Sequence, residues 1–500
     1  MLDRVRWSAP RGRALAAFRV LFPAFFVAIG VQMPAGRALA QATGPATDWT
    51  DADLAAAAAL RDRALQGTSA YDHVSSLVTE VGPRLAGSAG DEAAVRWAMN
   101  RLGKLGFTAV RSQDVLVPRW IRGSTEVTLL GAAPQALVAA TLGGSIGTGE
   151  EGIEAPLIEV ASLDALSATP AAAVKNKIVF INERMERTRD VTGYSKTVKN
   201  RAQGASVAAN LGAVALVIRS VGTSDERFAH TGRMIYQLDA PRIPAFSLSN
   251  PDADAVSRQL KTNKQLRLRL KSTARDLPPA WSANVIGEIP GTGRADEIVL
   301  LGAHLDSWDL GQGALDDGAG VAIVIEAARL ISKLERRPSR TIRVVLFANE
   351  EFGLSGAKEY ARLIGDEQAK HVLAMEADSG MGPVWRLQSQ VAPEALAAVE
   401  KMRNAMQPKT GTDEVVVEPG DNTASGGSDL GPLRSLGVPI LDLTLDTSLY
   451  FDVHHTMNDT LAKVDAKVLD QTVAAYAVAA YLAATKQGDF GRLPPVPFTR

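Results

Sequence analysis

One stretch of this sequence, in which an aliphatic run leads directly into a loop of glycine, histidine and aspartate, constrains the fold most strongly. Residues 298–301 predict a buried strand, and a helix is predicted to begin near Gly318. His304, Asp306 and Asp316 lie between the two. In open α/β sheets this edge binds ligands, and imidazole nitrogen with carboxylate oxygen suits zinc. The stretch therefore predicts a metal site, with a solvated turn that carries a chance histidine as the alternative.

The same arrangement recurs at later aliphatic runs. Residues 341–347, 371–375 and 438–443 predict further strands, and predicted helices alternate with them. This alternation is typical of an α/β fold with a mostly parallel or mixed sheet flanked by helices, in which the strand ends meet at one edge. The acids and histidines that follow these runs are Glu350, Glu351, Asp378, His454 and His455.

This set of side chains exceeds the needs of one metal ion. Two histidines and three or more carboxylates are more than the roughly four ligands of one zinc, and they suit two metals about 3.5–4 Å apart. Of Glu350 and Glu351, one can bind metal while its neighbour acts as a base for water. Asp306 is placed to accept the second imidazole N–H of His304. We therefore expect two zinc ions per chain.

The pattern of predicted elements changes in the middle third of the sequence. Short β-type runs separated by Gly and Pro loops fill residues 121–275, and the Leu-Pro-Pro segment 277–279 marks the return to the earlier pattern. We interpret 121–275 as a β-rich domain inserted into a discontinuous domain made of 41–120 and 276–490. Residues 491–500 are interpreted as a tail.

The first forty residues are interpreted as a signal peptide rather than as part of the fold. Several arginines precede an apolar run at 20–31, and Ala38, Leu39 and Ala40 offer small residues at the cleavage positions. The run is shorter than the ~20 residues of a membrane span. We therefore expect a secreted or periplasmic protein without a stable membrane span after cleavage; an uncleaved signal anchor is the alternative.

Composition and one decoy motif exclude other classes. The net charge of −1 argues against nucleic acid as a partner, and the absence of cysteine excludes disulfides and thiolate metal sites. Residues 143–147 fit the serine-hydrolase elbow, but a glycine-rich loop follows where that motif needs a helix. His73 and His371 lie among apolar residues and are interpreted as packed side chains.

Taken together, the motifs resemble those of the co-catalytic zinc aminopeptidases and glutamate carboxypeptidases, and most closely the carboxypeptidase Q branch. The resemblance covers nearly all of the mature chain and rests on the pairing of His304 with Asp306, on 316–318, on 349–351 and on 455–460. It implies a phosphorylase/hydrolase-like zinc peptidase domain and identifies the insert as a protease-associated domain. It also implies a role for each motif residue: His304 and Asp378 on one zinc, Glu351 and His455 on the other, Asp316 between them, Glu350 as general base and Asp306 as the orienting acid.

The function that the resemblance implies is an exported dizinc exopeptidase that cleaves dipeptides or short peptides, with a homodimer as one option for its assembly. His454, Asp429 and His230 are candidate substrate contacts; a plain turn is the alternative for Asp429, and a structural role is the alternative for His230. Three other functions stay open at this point: a general aminopeptidase on longer peptides, a non-catalytic receptor on the same scaffold, and a mono-zinc acyl-transfer relative.

Overall fold

Two eight-stranded sheets with their helices make up the part of the chain that the computed structural model describes, residues 48–131, 133–408 and 415–498. The helices are α1 Asp51–Leu65, α2 Ala70–Glu80, α3 Ala89–Leu105, α4 Leu163–Ser167, α5 Ala171–Val174, α6 Thr192–Asn210, α7 Asn250–Thr262, α8 Ala319–Ser332, α9 Ser355–Ile364, α10 Leu396–Met406, α11 Gly431–Ser435 and α12 Ala466–Thr485. The strands are β1 Thr108–Ile121, β2 Thr125–Leu130, β3 Gln135–Leu137, β4 Ala139–Thr141, β5 Ile153–Val160, β6 Ile178–Ile181, β7 Ala215–Arg219, β8 Ala245–Leu248, β9 Arg267–Ser272, β10 Arg275–Ile289, β11 Arg294–His304, β12 Arg340–Phe347, β13 His371–Glu376, β14 Val384–Gln390, β15 Glu418–Pro419 and β16 Ile440–Leu445.

The first sheet is mixed, with a parallel centre. Its strand order is β1-β10-β12-β11-β13-β16-β14-β15. β11 is parallel to β12 and β13, and β13 is parallel to β16. β12 is buried at every position, because helices cover both faces of a sheet of this kind. The predicted α/β class is confirmed, and the carboxyl ends of these four strands share one edge.

The helices on this sheet are held by both apolar packing and capping. α12 packs against α1 and α8, and most of its residues are fully buried. In the described part of the chain α12 alone is long and apolar enough to cross a membrane, but 83% of the apolar window is buried within the protein. α1 begins with a capping box, in which the side chains of Thr50 and Asp53 each accept the other residue's backbone N–H.

The second sheet lies between β1 and β10 in the sequence. Its strands all fall within residues 125–272, and their order is β3-β2-β9-β5-β6-β7-β8-β4. β5 to β8 pair in parallel, and β4, β2 and β9 pair antiparallel to their neighbours. This segment therefore combines strands with the long helix α6, whereas the sequence predicted mainly strands there. Ser145 of the decoy motif is fully buried and is followed by a loop where the motif needs a helix, so the serine-hydrolase alternative is wrong.

Two predicted boundaries differ from the structure. The sequence predicts a short strand near 108–110, and in the structure this strand extends to Ile121, because it pairs along its length with β10, which is distant in sequence. The sequence also predicts a helix around 204–211, and in the structure this helix begins at Thr192. Its first turns bury polar or small residues such as Gly193 and Thr197, so they lack the apolar periodicity that marks a helix in a sequence.

A buried ion pair on α8 gives a test of the stability of this domain. Glu326 is fully buried and accepts hydrogen bonds from Arg329 at 2.6 Å and from the backbone N–H of Ser69 at 3.0 Å. Burial alone would raise the pKa of Glu326, but hydrogen bonds from Arg329 and His73 lower it from 4.5 to about 2. The ionised form is therefore favoured by folding.

We expect Glu326→Gln to lower the free energy of unfolding by about 3 kcal/mol at neutral pH, because it removes the buried charge that the partly buried guanidinium of Arg329 pairs with. Since the folded pKa is depressed, the wild-type advantage is present above pH 4.5 and is lost as pH falls towards about 2. Urea unfolding at several pH values measures both effects. Glu359→Gln is the matched control, because Glu359 pairs with Arg362 at the same spacing on the surface. Equal losses in the two variants would contradict the prediction.

Candidate metal centre

The strand ends at the common edge of the first sheet bring the predicted site residues together. His304 is the last residue of β11, and Asp378 follows β13 by two residues. Glu351 lies in the turn after β12, and His455 lies in the segment after β16. Asp316 precedes α8 in the loop that leaves β11. Four strands thus deliver these side chains because their parallel arrangement places all their carboxyl ends together.

Asp316 lies at the centre of this group. Its Oδ1 is 3.2 Å from Nε2 of His304, and its Oδ2 is 3.2 Å from Nε2 of His455. The two oxygens of one carboxylate therefore face different histidines. This is the arrangement expected of a carboxylate between two metal positions.

Each histidine has a second carboxylate beside it. Nε2 of His304 is 3.6 Å from Oδ1 of Asp378, and Nε2 of His455 is 3.0 Å from Oε2 of Glu351. Two sets of three potential ligands result, and both contain Asp316. On the second side, the ligand atoms that all lie within 4.8 Å of one another belong to Asp316, His454 and His455, and Nε2 of His454 is 3.8 Å from Oδ2 of Asp316.

The acids of the site are buried close together, and their pKa values reflect this. Burial and then the charge of Asp316 raise the pKa of Glu351 to about 8. Burial also raises the pKa of Asp378 to about 6, against a hydrogen bond from His304. For Asp316, burial is overcome by hydrogen bonds from His304 and His455, which hold its pKa well below the usual value. Such a concentration of carboxylates is stable when cations offset it.

The neighbouring acids raise the pKa values of His455 and His304. Burial would lower the pKa of His455, but the charge of Glu351 and the hydrogen bond to Asp316 raise it to about 10. Burial is overcome in the same way at His304, where Asp306, Asp316 and Asp378 raise the pKa well above 6.5. In the protein alone, the protons on these imidazoles therefore supply the positive charge that a metal cation would otherwise supply.

The chemistry of the donor atoms fits zinc. Oε1 of Glu351 is buried and has no hydrogen-bond partner among the described residues, and Oδ2 of Asp316 is buried with Nε2 of His455 at 3.2 Å and Nε2 of His454 at 3.8 Å. An unpaired buried carboxylate oxygen is costly, and a metal ion satisfies it. Two imidazole nitrogens and three carboxylates are nitrogen and oxygen donors of the type zinc takes. The residues present therefore fit zinc in place of the imidazole protons.

The loop that carries Asp316 is fixed by side chains whose roles the sequence did not reveal. Asp459 accepts hydrogen bonds from the backbone N–H groups of residues 314, 315 and 316. Arg84 is fully buried and donates to the carbonyl groups of Leu305, Gln312 and Gly313. Asp459 belongs to the 455–460 motif of the sequence, but only the folded loop shows what Asp459 and Arg84 hold.

Two further contacts orient the metal-binding side chains. Trp308 donates its indole N–H to Oε2 of Glu351 at 2.6 Å, so it is a partner of a candidate ligand and more than a packed aromatic residue. Asp317 accepts the backbone N–H of His304 at 3.0 Å. Neither role was predicted from the sequence. Trp308 is distant from Glu351 along the chain, and Asp317 lies next to the more conspicuous Asp316.

Asp306 and Glu350 lie beside the two sets of ligands. Nδ1 of His304 is 3.1 Å from the backbone oxygen of Asp306 and 3.6 Å from its carboxylate, so the nearer acceptor is the carbonyl and not the predicted side chain. The carboxylate of Asp306 instead accepts the backbone N–H of Glu350 at 2.9 Å. Glu350 is half-buried, whereas Glu351 is buried. The charge of Glu350 is also among the causes that raise the pKa of Asp378, after burial.

The predicted substrate contacts lie deeper than expected. His230 is 1% exposed, and its Nδ1–H donates to the backbone oxygen of His454 at 2.7 Å. Asp429 is fully buried, and neither of its carboxylate oxygens has a hydrogen-bond partner among the described residues. Both side chains are buried in the structure, and direct contact with substrate stays a prediction for each of them. His454 stacks on His455, with ring centroids 3.5 Å apart.

Comparisons with known proteins agree with this geometry. A profile of peptidase family M28 matches residues 284–480, and a PA domain profile matches residues 153–256. Carboxypeptidase Q of Mus musculus is 37% identical over 414 residues, which cover 83% of this chain and 85% of that protein. Aminopeptidase YwaD of Bacillus subtilis is 26% identical over 438 residues, which cover 85% and 87%.

Solved structures show the same fold. A peptidase M28 precursor from Shewanella amazonensis has a TM-score of 0.86 and 45% identity, covering 89% of this chain and 100% of that one. The zinc aminopeptidase BSAP of Bacillus subtilis has a TM-score of 0.60 at 22% identity, covering 85% and 97%, which shows the fold alone. The resemblance drawn from the sequence is confirmed: the chain belongs to peptidase family M28, carries a PA domain, and is a metallopeptidase related to carboxypeptidase Q and the aminopeptidases.

Proposed function

We propose that this protein is a dizinc exopeptidase that hydrolyses dipeptides. The observation that carries the proposal is the position of Asp316, whose two oxygens each face a different histidine. His304 and Asp378 would hold one zinc, Glu351 and His455 the other, and Asp316 would bind both. When bound, the ions supply Lewis-acid chemistry, which lowers the pKa of water and polarises a carbonyl group.

In this proposal Glu350 takes the proton from the attacking water and passes it to the leaving amine. Its backbone is fixed through Asp306, and its side chain is half-buried beside ligands that are themselves buried. A carboxylate that is not engaged as a ligand is free to change its protonation state, as general acid–base catalysis requires. The buried Glu351 lies against His455 and Trp308 and is suited instead to a fixed role as a ligand.

The substrate class follows from the insert, which we propose to span residues 121–275. Its segments contact the chain after β16, and Arg233 lies over the ring of Phe352, in the turn that carries Glu350 and Glu351. The insert therefore bounds one side of the metal centre. A bounded site with two cations can hold the free ends of a short peptide, but it leaves little room for a long chain.

We expect free dipeptides to be cleaved with kcat/KM at least about 100-fold higher than blocked or longer peptides, since two charge-assisted contacts to the chain ends can supply that discrimination. The measurement compares one dipeptide with its acetylated form, its amidated form and a pentapeptide with the same scissile bond. Equal rates on the pentapeptide would identify a general aminopeptidase. Metal analysis that finds at most one zinc per active chain would favour the mono-zinc alternative.

We also propose export, with cleavage of the leader near Gln41. The leader lies outside the described residues, so the proposal rests on its sequence: a basic start, a short apolar run, and Ala38 and Ala40 at the cleavage positions. Amino-terminal sequencing of protein from the exported fraction is expected to begin close to residue 41. A protein that begins at Met1 and stays in the membrane fraction would contradict this.

A further inference from the structure

The segment that carries His455 is held by the insert, through hydrogen bonds to its main chain. Within the described residues, the backbone N–H of Thr447 donates to the carbonyl of Arg189, and the backbone N–H of Thr223 donates to the carbonyl of Phe451, each at 2.9 Å. The backbone N–H of Thr231 donates to the carbonyl of His455, also at 2.9 Å. Contacts from the insert therefore occur along the whole approach to the metal ligand.

His455 itself has a backbone conformation that needs support. Its φ of 61° lies in the left-handed region, which residues with a side chain seldom adopt. The insert contacts it on two sides: Thr231 donates to its carbonyl group, and the carbonyl oxygen of Thr231 lies 3.4 Å from its Nδ1. That oxygen is the acceptor for Nδ1–H when Nε2 binds a metal ion.

His230 fixes the preceding peptide group. Its Nδ1–H donates to the carbonyl of His454 at 2.7 Å, and its own carbonyl accepts a hydrogen bond from Ser247 at 2.6 Å. A side-chain carbon at Gly222 would lie 2.1 Å from the His230 ring, so the ring rests flat against this glycine. The His230 imidazole is therefore closely packed between Gly222 of the insert and the segment that carries His455.

Gly232, in the same loop as His230, also lies close against a side chain. Gly232 has a φ of 128°, and a side-chain carbon there would lie 2.3 Å from the guanidinium of Arg201. Arg201 donates to the carbonyl of Thr231 at 3.2 Å and to the hydroxyl of Tyr194. Tyr194 in turn stacks on Phe451, with ring centroids 5.0 Å apart. The acceptor for His455 is thus itself held in place by α6.

We propose that His230 is a positioning residue that, with the Thr231 carbonyl, aligns His455 for zinc, so that the PA insert forms part of one metal site as well as a boundary of the substrate pocket. This rests on the assignment of His455 as a ligand in the proposed function. These contacts of the insert reach the His455 side of the centre, whereas His304 is oriented by Asp306 and Asp317 of the peptidase domain. Loss of His230 should therefore weaken one zinc site and spare the other.

The test measures zinc affinity by competition with a chelator of known affinity, in single-site backgrounds. In His304→Ala the zinc that remains is the one bound by Glu351 and His455, and adding His230→Ala is expected to weaken it about 10–100-fold. In Glu351→Gln the remaining zinc is bound by His304 and Asp378, and the same addition is expected to leave its affinity unchanged. Equal losses in both backgrounds, or no loss in either, would overturn the proposal.

Matched variants separate positioning from general stability. His230→Asn keeps an N–H donor near the position of Nδ1 and is expected to restore most of the affinity. His371→Ala is the control. His371 is equally buried, and its Nδ1 also contacts a backbone carbonyl, that of Glu367, at 3.1 Å. If His230→Ala does not fold, Gly222→Ala displaces the same ring without deleting it and is measured instead. An equal loss of zinc affinity in His371→Ala would overturn the proposal.

A readout on the metal-free protein keeps this inference separate from the proposed function. Hydrogen exchange of the backbone amides at 454–456 is expected to be faster in His230→Ala than in the wild type and unchanged in His371→Ala. If wild-type protein binds at most one zinc, the dizinc proposal fails and the exchange experiment decides the positioning role by itself. Unchanged exchange in His230→Ala would overturn that role, whatever the zinc stoichiometry.

Discussion

Glu350→Gln is expected to retain both zinc ions and to lower kcat by about 10²–10⁴-fold. The amide has nearly the shape of the carboxylate but cannot accept a proton from water. The backbone hydrogen bond from residue 350 to Asp306 is independent of the side chain, so the turn should keep its conformation. The loss should therefore appear in kcat, with KM for a dipeptide little changed.

The neighbouring acid provides the comparison that makes this result specific. Glu351 is buried against His455 and Trp308, so Glu351→Gln removes a charge from the ligand set and should lose zinc as well as activity. Metal content and kcat measured on both variants separate a base from a ligand. If Glu350→Gln loses zinc and Glu351→Gln keeps it, the two roles are reversed from those proposed here.

The acids and histidines that follow predicted strands gave most of the metal centre, because the pattern that marks them is local in the sequence. His304, Glu351 and Asp378 lie at the end of a buried strand or within a few residues of it, and Asp316 and His455 lie in the longer segments that follow β11 and β16. Parallel strands must place their carboxyl ends at one edge. His304, Asp316, Glu351, Asp378 and His455 accordingly lie together, as the sequence predicted. The sequence could not supply the order of the strands, which depends on how distant segments pair.

The parts that sequence reasoning missed depend on geometry that only the folded chain shows. His230 was a candidate substrate contact because it lies in a loop, but the structure places its ring against the carbonyl of His454. Asp306 was expected to orient His304 through its carboxylate, whereas its carbonyl is the nearer acceptor. A pattern of residues indicates which groups are available, and it does not indicate whether a side chain or a backbone oxygen will be nearest. The early turns of α6 were missed for a related reason, since they bury polar residues.

Asp316→Ala is expected to weaken both zinc sites and to abolish measurable peptidase activity. Asp316 is the one side chain that faces both histidines, at 3.2 Å through each of its oxygens. Its loss removes a ligand from each ion together with the negative charge between them. The fall in zinc affinity should exceed the ~10–100-fold that follows loss of an outer hydrogen-bond partner of a ligand.

His304→Ala is the comparison for this variant, because it removes a ligand from one side of the centre. Zinc titration should then show two sites in the wild type, one well-preserved site in His304→Ala, and two weakened sites in Asp316→Ala. Near-ultraviolet circular dichroism of the metal-free proteins checks that the loop held by Arg84 and Asp459 has kept its fold. If Asp316→Ala retains one zinc at wild-type affinity, Asp316 binds a single ion, and the two sites do not share a carboxylate.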